Sequence, residues 1–179
     1  TRLLSSGPRT NPWFRECSMR IIEKGDLVSF DTDLIGPYGY CSDMSRSWLC
    51  GDKPSDEQRR LYAAAFEQIE SNIAVLKAGR TFLEVAEQCW PIPEEFLSNR
   101  YSVSMHGVGL ADEYPSIKHS VDVAGNDYDG VIEAGMTLCV ESFIGSYGGR
   151  EGVKLEEQVI VTEAGIERMS TYPYELDWL

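Results

Sequence analysis

Basic residues, histidines and long apolar runs are all scarce in this sequence. It has 16 Lys and Arg against 29 Asp and Glu, a formal net charge of −13, and such a charge opposes binding to nucleic acid or to anionic membranes. No apolar run approaches the roughly 20 residues that span a bilayer, and the first residues lack the basic-then-apolar order of a signal peptide. We therefore expect no nucleic-acid partner, no membrane association and a cytoplasmic location.

Cysteine is also too sparse and too irregular to define a scaffold. The five cysteines are odd in number and form no CxxC pair, which disfavours both a disulfide framework and a zinc finger. With 179 residues, 42% of them hydrophobic, the chain is long enough to bury one core. We expect a single domain that covers residues 1–179.

The β-like segments of the sequence fall into an early hairpin and a later group of strands. Asp26–Asp31 predicts a strand, the turn residues around Gly36 predict a loop, and Tyr40–Trp48 predicts the returning strand. From Tyr101 onward, short β-like runs alternate with glycine turns. The order of hairpin, helices and further strands favours the α+β class, with one curved antiparallel sheet flanked by helices.

Two capping motifs predict the helices between these strands. The pattern SxxQ that begins at Ser55 and the pattern TxxE that begins at Thr81 are typical of capping boxes, which satisfy the first free N–H groups of a helix. We expect the first helix to end at Gly79 and the second to be stopped by Pro91.

Three aspartates of the predicted hairpin are candidate metal ligands. In a strand, residues i and i+2 point to the same side, so Asp31 and Asp33 converge while Thr32 faces away. Asp43 can return opposite them across the hairpin. Three converging carboxylates repel one another and would lose their charge unless cations held them. Because acidic residues are also common in turns, the hairpin alone leaves a solvated surface role open.

One histidine and two glutamates complete the candidate set. His106 lies in the motif MHGVG, Glu141 follows the apolar run Met136–Val140, and Glu156 comes just before the apolar residues 159–161. A charge in an apolar strand is costly without a partner, although a lone histidine is often structural. Carboxylates and an imidazole suit a pair of Mn, Fe, Co or Zn ions, and five carboxylates would leave about one net negative charge against two divalent cations.

These motifs, in this order, resemble a known enzyme class. The Asp hairpin, HGVG, GMxxxxE and KLEEQVIVTEAG, which together extend from about Ser6 to Met169, are similar to the creatinase and methionine aminopeptidase class, the pita-bread metalloenzymes. The resemblance implies a dinuclear metal site on Asp43, His106, Glu141, Glu156 and an Asp within 31–33. It also implies that this is a partial, C-terminal catalytic domain, that an N-terminal domain precedes it, and that the full-length protein is a homodimer.

Several positions depart from the peptidases of that class. Peptidases carry DxG where this chain has Asp31-Thr32-Asp33, which points to an extra ligand, and they carry a second histidine in a pattern like HGxGxxxHExP. Here the segment is one residue shorter and lacks that histidine, and Glu141 is followed by Ser142 instead of Pro. These differences favour another activity over a metallo-aminopeptidase or Xaa-Pro dipeptidase, which stays open as the alternative, as does a non-catalytic binding module.

The segment RYSVSMHGVGLADEYP resembles the DddP-type dimethylsulfoniopropionate (DMSP) lyases of the same fold. That branch implies that Asp31, Asp33 and Asp43 join the histidine and both glutamates around two metal ions, with iron expected first. It implies a small sulfonium carboxylate as substrate, Asp112 as the catalytic base, and Tyr101 as the residue that orients the substrate or faces its sulfonium. The alternatives are a polar turn residue for Asp112 and simple packing for Tyr101.

Overall fold

The computed structural model describes residues 3–51 and 53–179, so Thr1, Arg2 and Asp52 of the expected domain lie outside the described residues. Within the described ranges the chain forms eight strands and three α-helices. The strands are β1 (Leu3–Ser6), β2 (Leu27–Ile35), β3 (Cys41–Leu49), β4 (Met105–Gly107), β5 (Ser116–Ile117), β6 (Thr137–Ile144), β7 (Val153–Val161) and β8 (Ile166–Arg168). The α-helices are α1 (Asp56–Val75), α2 (Phe82–Gln88) and α3 (Glu94–Leu97), and short 3₁₀ helices cover Gly7–Thr10, Pro37–Gly39, Ser120–Asp122 and Leu176–Trp178.

The predicted acidic hairpin is present. Strands β2 and β3 pair antiparallel along their whole length, and the turn closes where the Gly36 N–H donates to the Tyr40 carbonyl at 2.7 Å. Asp33 stands directly opposite Asp43 in this register. Strand β2 continues past Asp31, where its sequence-based prediction ended, because the following residues keep their partners on β3.

The strands form two antiparallel sheets where the sequence led us to expect one. The first has the order β1-β2-β3 and the second the order β5-β4-β6-β7-β8. Along the line where β3 meets β7, side chains bridge the two strands: the Ser47 hydroxyl donates to the Lys154 carbonyl at 2.9 Å, and the Asp43 N–H donates to Gln158 Oε1 at 3.1 Å. These bonds replace a backbone ladder and join the two sheets along a seam, which we define as the facing parts of β3 and β7.

The helices cover one side of the second sheet. Helix α1 packs against β6 and β7 through the buried side chains of Leu61, Ala65 and Ile69. Ser142 of β6 also hydrogen-bonds Gln68 of α1 at 2.7 Å. No helix within residues 3–51 and 53–179 is both long and apolar enough to cross a membrane.

Both predicted capping boxes are present, one with Ser55 and one with Thr81 as N-cap. Helix α2 ends at Gln88, ahead of Pro91, as expected. The expected end of the first helix at Gly79 is wrong, because α1 stops at Val75. Leu76 has an extended backbone (φ −71°, ψ 127°), so the chain leaves the helix there.

The interface between α1 and the sheet yields a stability prediction. Ile69→Ala should lower the free energy of unfolding by about 2–5 kcal/mol, because Ile69 is fully buried and its removal leaves a cavity. Glu67→Ala on the exposed side of the same helix should change it by less than about 0.5 kcal/mol. Urea unfolding of the two variants measures both values, and equal effects would contradict the described packing.

Candidate metal centre

The centre lies at the seam, where four strands each contribute two side chains separated by one residue. Because strand residues alternate between faces, each pair points to the same side. His106 comes from β4, where it is the cross-strand partner of Cys139 on β6. The pairs are Asp31 and Asp33 on β2, Asp43 and Ser45 on β3, Cys139 and Glu141 on β6, and Lys154 and Glu156 on β7.

His106 stands at the middle of the carboxylates. Its side chain is fully buried, and its Nε2 atom lies 3.2 Å from Glu141 Oε1, 3.6 Å from Asp43 Oδ2 and 3.7 Å from Glu156 Oε1. Glu141 and Glu156 face each other as cross-strand partners on β6 and β7. Four of the six predicted ligands therefore meet here, with three carboxylates around the Nε2 atom of His106.

The other ring nitrogen of His106 fixes which atom is available to a metal. Nδ1 lies 3.2 Å from the Gly107 carbonyl, which accepts hydrogen bonds only, so we assign Nδ1 as the donor and Nε2 as the ligand atom. Burial lowers the pKa of His106, but the carboxylates of Glu141, Glu113 and Glu156 outweigh it and raise that pKa to about 9. A proton and a metal ion thus compete for Nε2.

Two carboxylate oxygens in the cluster have no hydrogen-bond partner among the described residues. They are Asp43 Oδ1 and Glu156 Oε1, and both are buried. Burial and neighbouring carboxylates raise the pKa of Asp43 strongly and that of Glu156 to about 7. An unpaired buried oxygen of this kind is costly, and a bound cation removes the cost. The residues present therefore fit a metal.

The possible ligand atoms form two groups that share one residue. One group holds Asp43, His106, Cys139 and Glu156, and the other holds Asp31, Asp33 and Asp43; within each group the ligand atoms lie within 4.8 Å of one another. A carboxylate common to two adjacent groups is the arrangement expected of a bridging ligand in a two-metal site. Burial is the main cause that raises the pKa of Asp31, to about 6.

A cavity of about 390 Å³ opens onto the aspartates of the centre. Its walls combine carboxylates with apolar and aromatic side chains, and they include both predicted catalytic residues, Tyr101 and Asp112. Asp112 Oδ1 lies 3.9 Å from His106 Nδ1, and burial raises the pKa of Asp112 above its usual value. The lining residues are Leu3, Phe14, Asp31, Asp33, Leu34, Ile35, Cys41, Asp43, Tyr101, Asp112 and Glu113.

The sequence analysis missed Lys154. In the part of the chain that the structure describes, it is the one lysine or arginine whose charged group is buried among the candidate ligands. Its ammonium hydrogen-bonds Glu141 and lies 3.1 Å from Ser45 Oγ and 3.6 Å from Glu156 Oε2. Burial lowers the pKa of Lys154, but the charges of Glu141 and Glu156 outweigh it, and the pKa lies well above its usual value. The signal was available, since Lys154 stands two residues before Glu156 in the same strand.

Two other residues near His106 were also missed. Glu113 belongs to the segment DEYP, which matches the HExP end of the peptidase pattern with Asp112 in place of the histidine. Its Oε2 lies 3.8 Å from His106 Nε2. The Cys139 thiol lies among the ligand atoms and donates to the Asp43 carbonyl at 3.6 Å. His119 is outside the cluster, with its Nε2 3.0 Å from the Tyr101 carbonyl, so it does not replace the missing histidine.

With this geometry in place, comparison with known proteins identifies the family. The model of metallopeptidase family M24 matches residues 1–163. The chain belongs to this family. Its M24 fold is the pita-bread fold that the motifs predicted, and the family implies a dinuclear metal site.

Solved structures of M24 proteins superpose well on the chain. Prolidase from Pyrococcus furiosus matches with a TM-score of 0.79 at 26% identity, over 96% of this chain and 49% of its own. Dipeptidase PepE from Mycobacterium ulcerans matches with a TM-score of 0.80 at 29% identity, over 97% of this chain and 45% of its own. The similarity covers almost all of this chain and about half of each peptidase.

Among characterised sequences, two lyases are more similar to this chain than these peptidases are. Dimethylsulfoniopropionate lyase DddP from Roseovarius nubinhibens is 48% identical over 98% of this chain, and DddP from Roseobacter denitrificans is 43% identical over 98%. The chain spans about 40% of the length of these curated relatives.

Substitution of Asp43, the residue common to both ligand groups, tests the centre. In the full-length protein, Asp43→Ala should weaken metal binding by at least about 100-fold, since even residues that only orient metal ligands contribute about 10–100-fold. Asp127→Asn is the matched control, because Asp127 binds Lys118 at 2.7 Å in a loop outside the ligand groups. Elemental analysis after dialysis measures the metal content. Equal contents in Asp43→Ala and wild type would contradict the assignment.

Proposed function

We propose that the protein containing this chain is a metal-dependent carbon–sulfur lyase that cleaves DMSP to dimethyl sulfide and acrylate. The observation that carries the proposal is the 48% identity with the DddP lyase of Roseovarius nubinhibens over 98% of the chain. The site supports it, because Asp33 extends the candidate ligand set and the second peptidase histidine is absent from the segment after His106.

The reaction is a β-elimination. A base takes a proton from the carbon next to the substrate carboxylate, and the electron pair of that C–H bond becomes the new carbon–carbon double bond. The bond between the adjacent carbon and the sulfonium sulfur then breaks, and the sulfur leaves with both electrons as dimethyl sulfide. The products are dimethyl sulfide, acrylate and the proton held by the base, so atoms and charge balance.

Asp112 is our candidate for the base. It lines the cavity next to the aspartates, yet it lies on the Nδ1 side of His106, away from the ligand atom Nε2. Its raised pKa makes its carboxylate a stronger base than an exposed aspartate. When bound, the metal pair would act as a Lewis acid that withdraws electron density from the substrate carboxylate and so favours loss of the neighbouring proton.

Aromatic side chains give the cavity a place for the sulfonium group. Tyr101 lines it and is largely buried, and Trp13 packs beside Tyr101 with ring centroids 6.5 Å apart. Phe14 also lines the cavity. A cation against aromatic rings gains about 0.5–2 kcal/mol, so we propose that Tyr101 orients the substrate either through its ring or through its hydroxyl.

The competing function is that of an Xaa-Pro dipeptidase, the activity named for a relative from Pyrococcus furiosus and for a solved structure from Bacillus anthracis. The absence of the second histidine is the observation against it. A non-catalytic binding module is disfavoured by the six ligand-type residues that the chain retains. We further expect iron as the metal, with Mn, Co or Zn as alternatives, a homodimer and a cytoplasmic location.

Headspace gas chromatography of the full-length protein with DMSP tests the activity. We expect dimethyl sulfide and acrylate in equal amounts, and loss of both when a chelator removes the metal. The same preparation is incubated with an Xaa-Pro dipeptide. Release of amino acids without any dimethyl sulfide would instead establish the peptidase.

Replacement of the base tests the mechanism. Asp112→Asn should leave the metal content unchanged and lower kcat by about 10²–10⁴-fold, because the amide cannot accept the proton. In the wild type, kcat/KM should fall as the pH drops through the pKa of Asp112, which must be deprotonated to act and which burial raises. Loss of metal from Asp112→Asn would show that Asp112 is a ligand and not the base.

A further inference from the structure

A buried ammonium lies inside the carboxylate cluster. Lys154 is 1% exposed, and its Nζ atom hydrogen-bonds Glu141 Oε2, lies 3.6 Å from Glu156 Oε2 and donates to Ser45 Oγ at 3.1 Å. Removal of such a charge from water is very costly unless partners replace the water. Its position between two predicted metal ligands therefore calls for a functional explanation.

Lys154 divides the two oxygens of Glu141. Glu141 Oε2 accepts a hydrogen bond from the ammonium, whereas Glu141 Oε1 lies 3.2 Å from His106 Nε2. Glu156 Oε2 lies 3.6 Å from the ammonium, beyond hydrogen-bond distance, and accepts from Ser45 Oγ at 3.0 Å. The ammonium thus occupies one oxygen of Glu141 and leaves the other facing the metal position.

The surroundings of Lys154 hold its ammonium in place. Ser45 Oγ lies 2.6 Å from Asp31 Oδ1 and 3.0 Å from Glu156 Oε2, so it links the ammonium to carboxylates on two further strands. On the other side, Nζ lies 4.8 Å from the ring centre of Tyr101 and 5.1 Å from that of Trp13, distances at which aromatic faces attract a cation. The charge is fixed between the ligands and the aromatic wall.

The charge of Lys154 also balances the predicted ligand carboxylates. Asp31, Asp33, Asp43, Glu141 and Glu156 carry one negative charge more than two divalent cations can neutralise, and one ammonium cancels that remainder. Asp112 and Glu113 add two carboxylates beside His106, so without the ammonium a substrate carboxylate would meet still more negative charge and be repelled more strongly.

We propose that Lys154 is a positioning residue of the metal centre, which presents the Oε1 atom of Glu141 to the metals and lowers the negative charge of the site so that an anionic ligand can enter. The proposal rests on the dinuclear site of the proposed function. It does not depend on which carboxylate substrate the enzyme uses.

Propionate binding to the metal-loaded, full-length protein tests the proposal without turnover. Lys154→Gln keeps a hydrogen-bond donor and removes the charge, and Lys154→Arg keeps both. Arg46→Gln is the matched control, because Arg46 is an equally buried cation that binds Glu157 at 2.9 Å and none of the predicted ligand carboxylates. Calorimetry gives the propionate affinity, elemental analysis the metal content, and a crystal structure the ligand atoms.

We expect Lys154→Gln to retain two metal ions and to bind propionate at least about tenfold more weakly, with Lys154→Arg and Arg46→Gln close to wild type. In the crystal structure, Oε1 of Glu141 should be its ligand atom. Unchanged propionate affinity in Lys154→Gln, an equal loss in Arg46→Gln, or Glu141 Oε2 as the ligand atom in the wild type would overturn the proposal.

Two further results also decide the proposal: a variant that does not fold, and a wild type with too few metal ions. If Lys154→Gln does not fold, Lys154→Met, which is apolar and close to lysine in length, carries the same comparison with Arg46→Gln. A wild-type protein with fewer than two metal ions would overturn the proposed dinuclear site together with this inference. A wild type with two ions and variants of unchanged propionate affinity would overturn the role of Lys154 alone.

Discussion

Carboxylates of like charge are buried together at the seam between the two sheets, and this arrangement is stable only if cations hold them. Asp43 and Glu156 each have a buried oxygen without a hydrogen-bond partner among the described residues, so protein groups alone do not satisfy the cluster. One cation, Lys154, belongs to the chain itself. Strand pairing brings the candidate ligands from β2, β3, β4, β6 and β7 together, and their remaining negative charge explains why bound metals should stabilise the fold.

Because strand residues alternate between the two faces of a sheet, one face can supply candidate ligands while the other packs in the hydrophobic core. Strand β6 shows it most clearly: Ser142 bonds α1 on one side, while Glu141 meets His106 on the other. The same sheet thus packs against the main helix and supplies metal ligands. At the seam, side chains such as Ser47 and Gln158 bridge β3 and β7, and this places Asp43 within reach of Glu156.

The sequence allowed most of the fold to be predicted, and also the convergence of the candidate ligands, because both depend on local patterns. The hairpin register that pairs Asp33 with Asp43 follows from a period of two, and both helix starts follow from capping boxes. The end of α1 was wrong because Leu76 leaves the helix before any glycine or proline. The division into two sheets was missed because it depends on bridges between β3 and β7, which are distant in the sequence.

The candidate ligands were easier to find in the sequence than the other charged groups that contact them. Lys154 reads as an ordinary strand lysine until its contact with Glu141 is seen, and Glu113 faces His106 only through the folded loop. Asp33 and the absence of the second histidine distinguish this site from the pattern of the M24 peptidases. Under the proposed function, a few side chains around the candidate ligands would account for a different reaction.

Anomalous diffraction from crystals of the full-length, metal-loaded protein is the most direct test of the dinuclear site. We predict two metal peaks about 3.5–4 Å apart, with Asp43 between them, one near His106 and the other near Asp31 and Asp33. A single peak, or peaks outside this cluster, would contradict it.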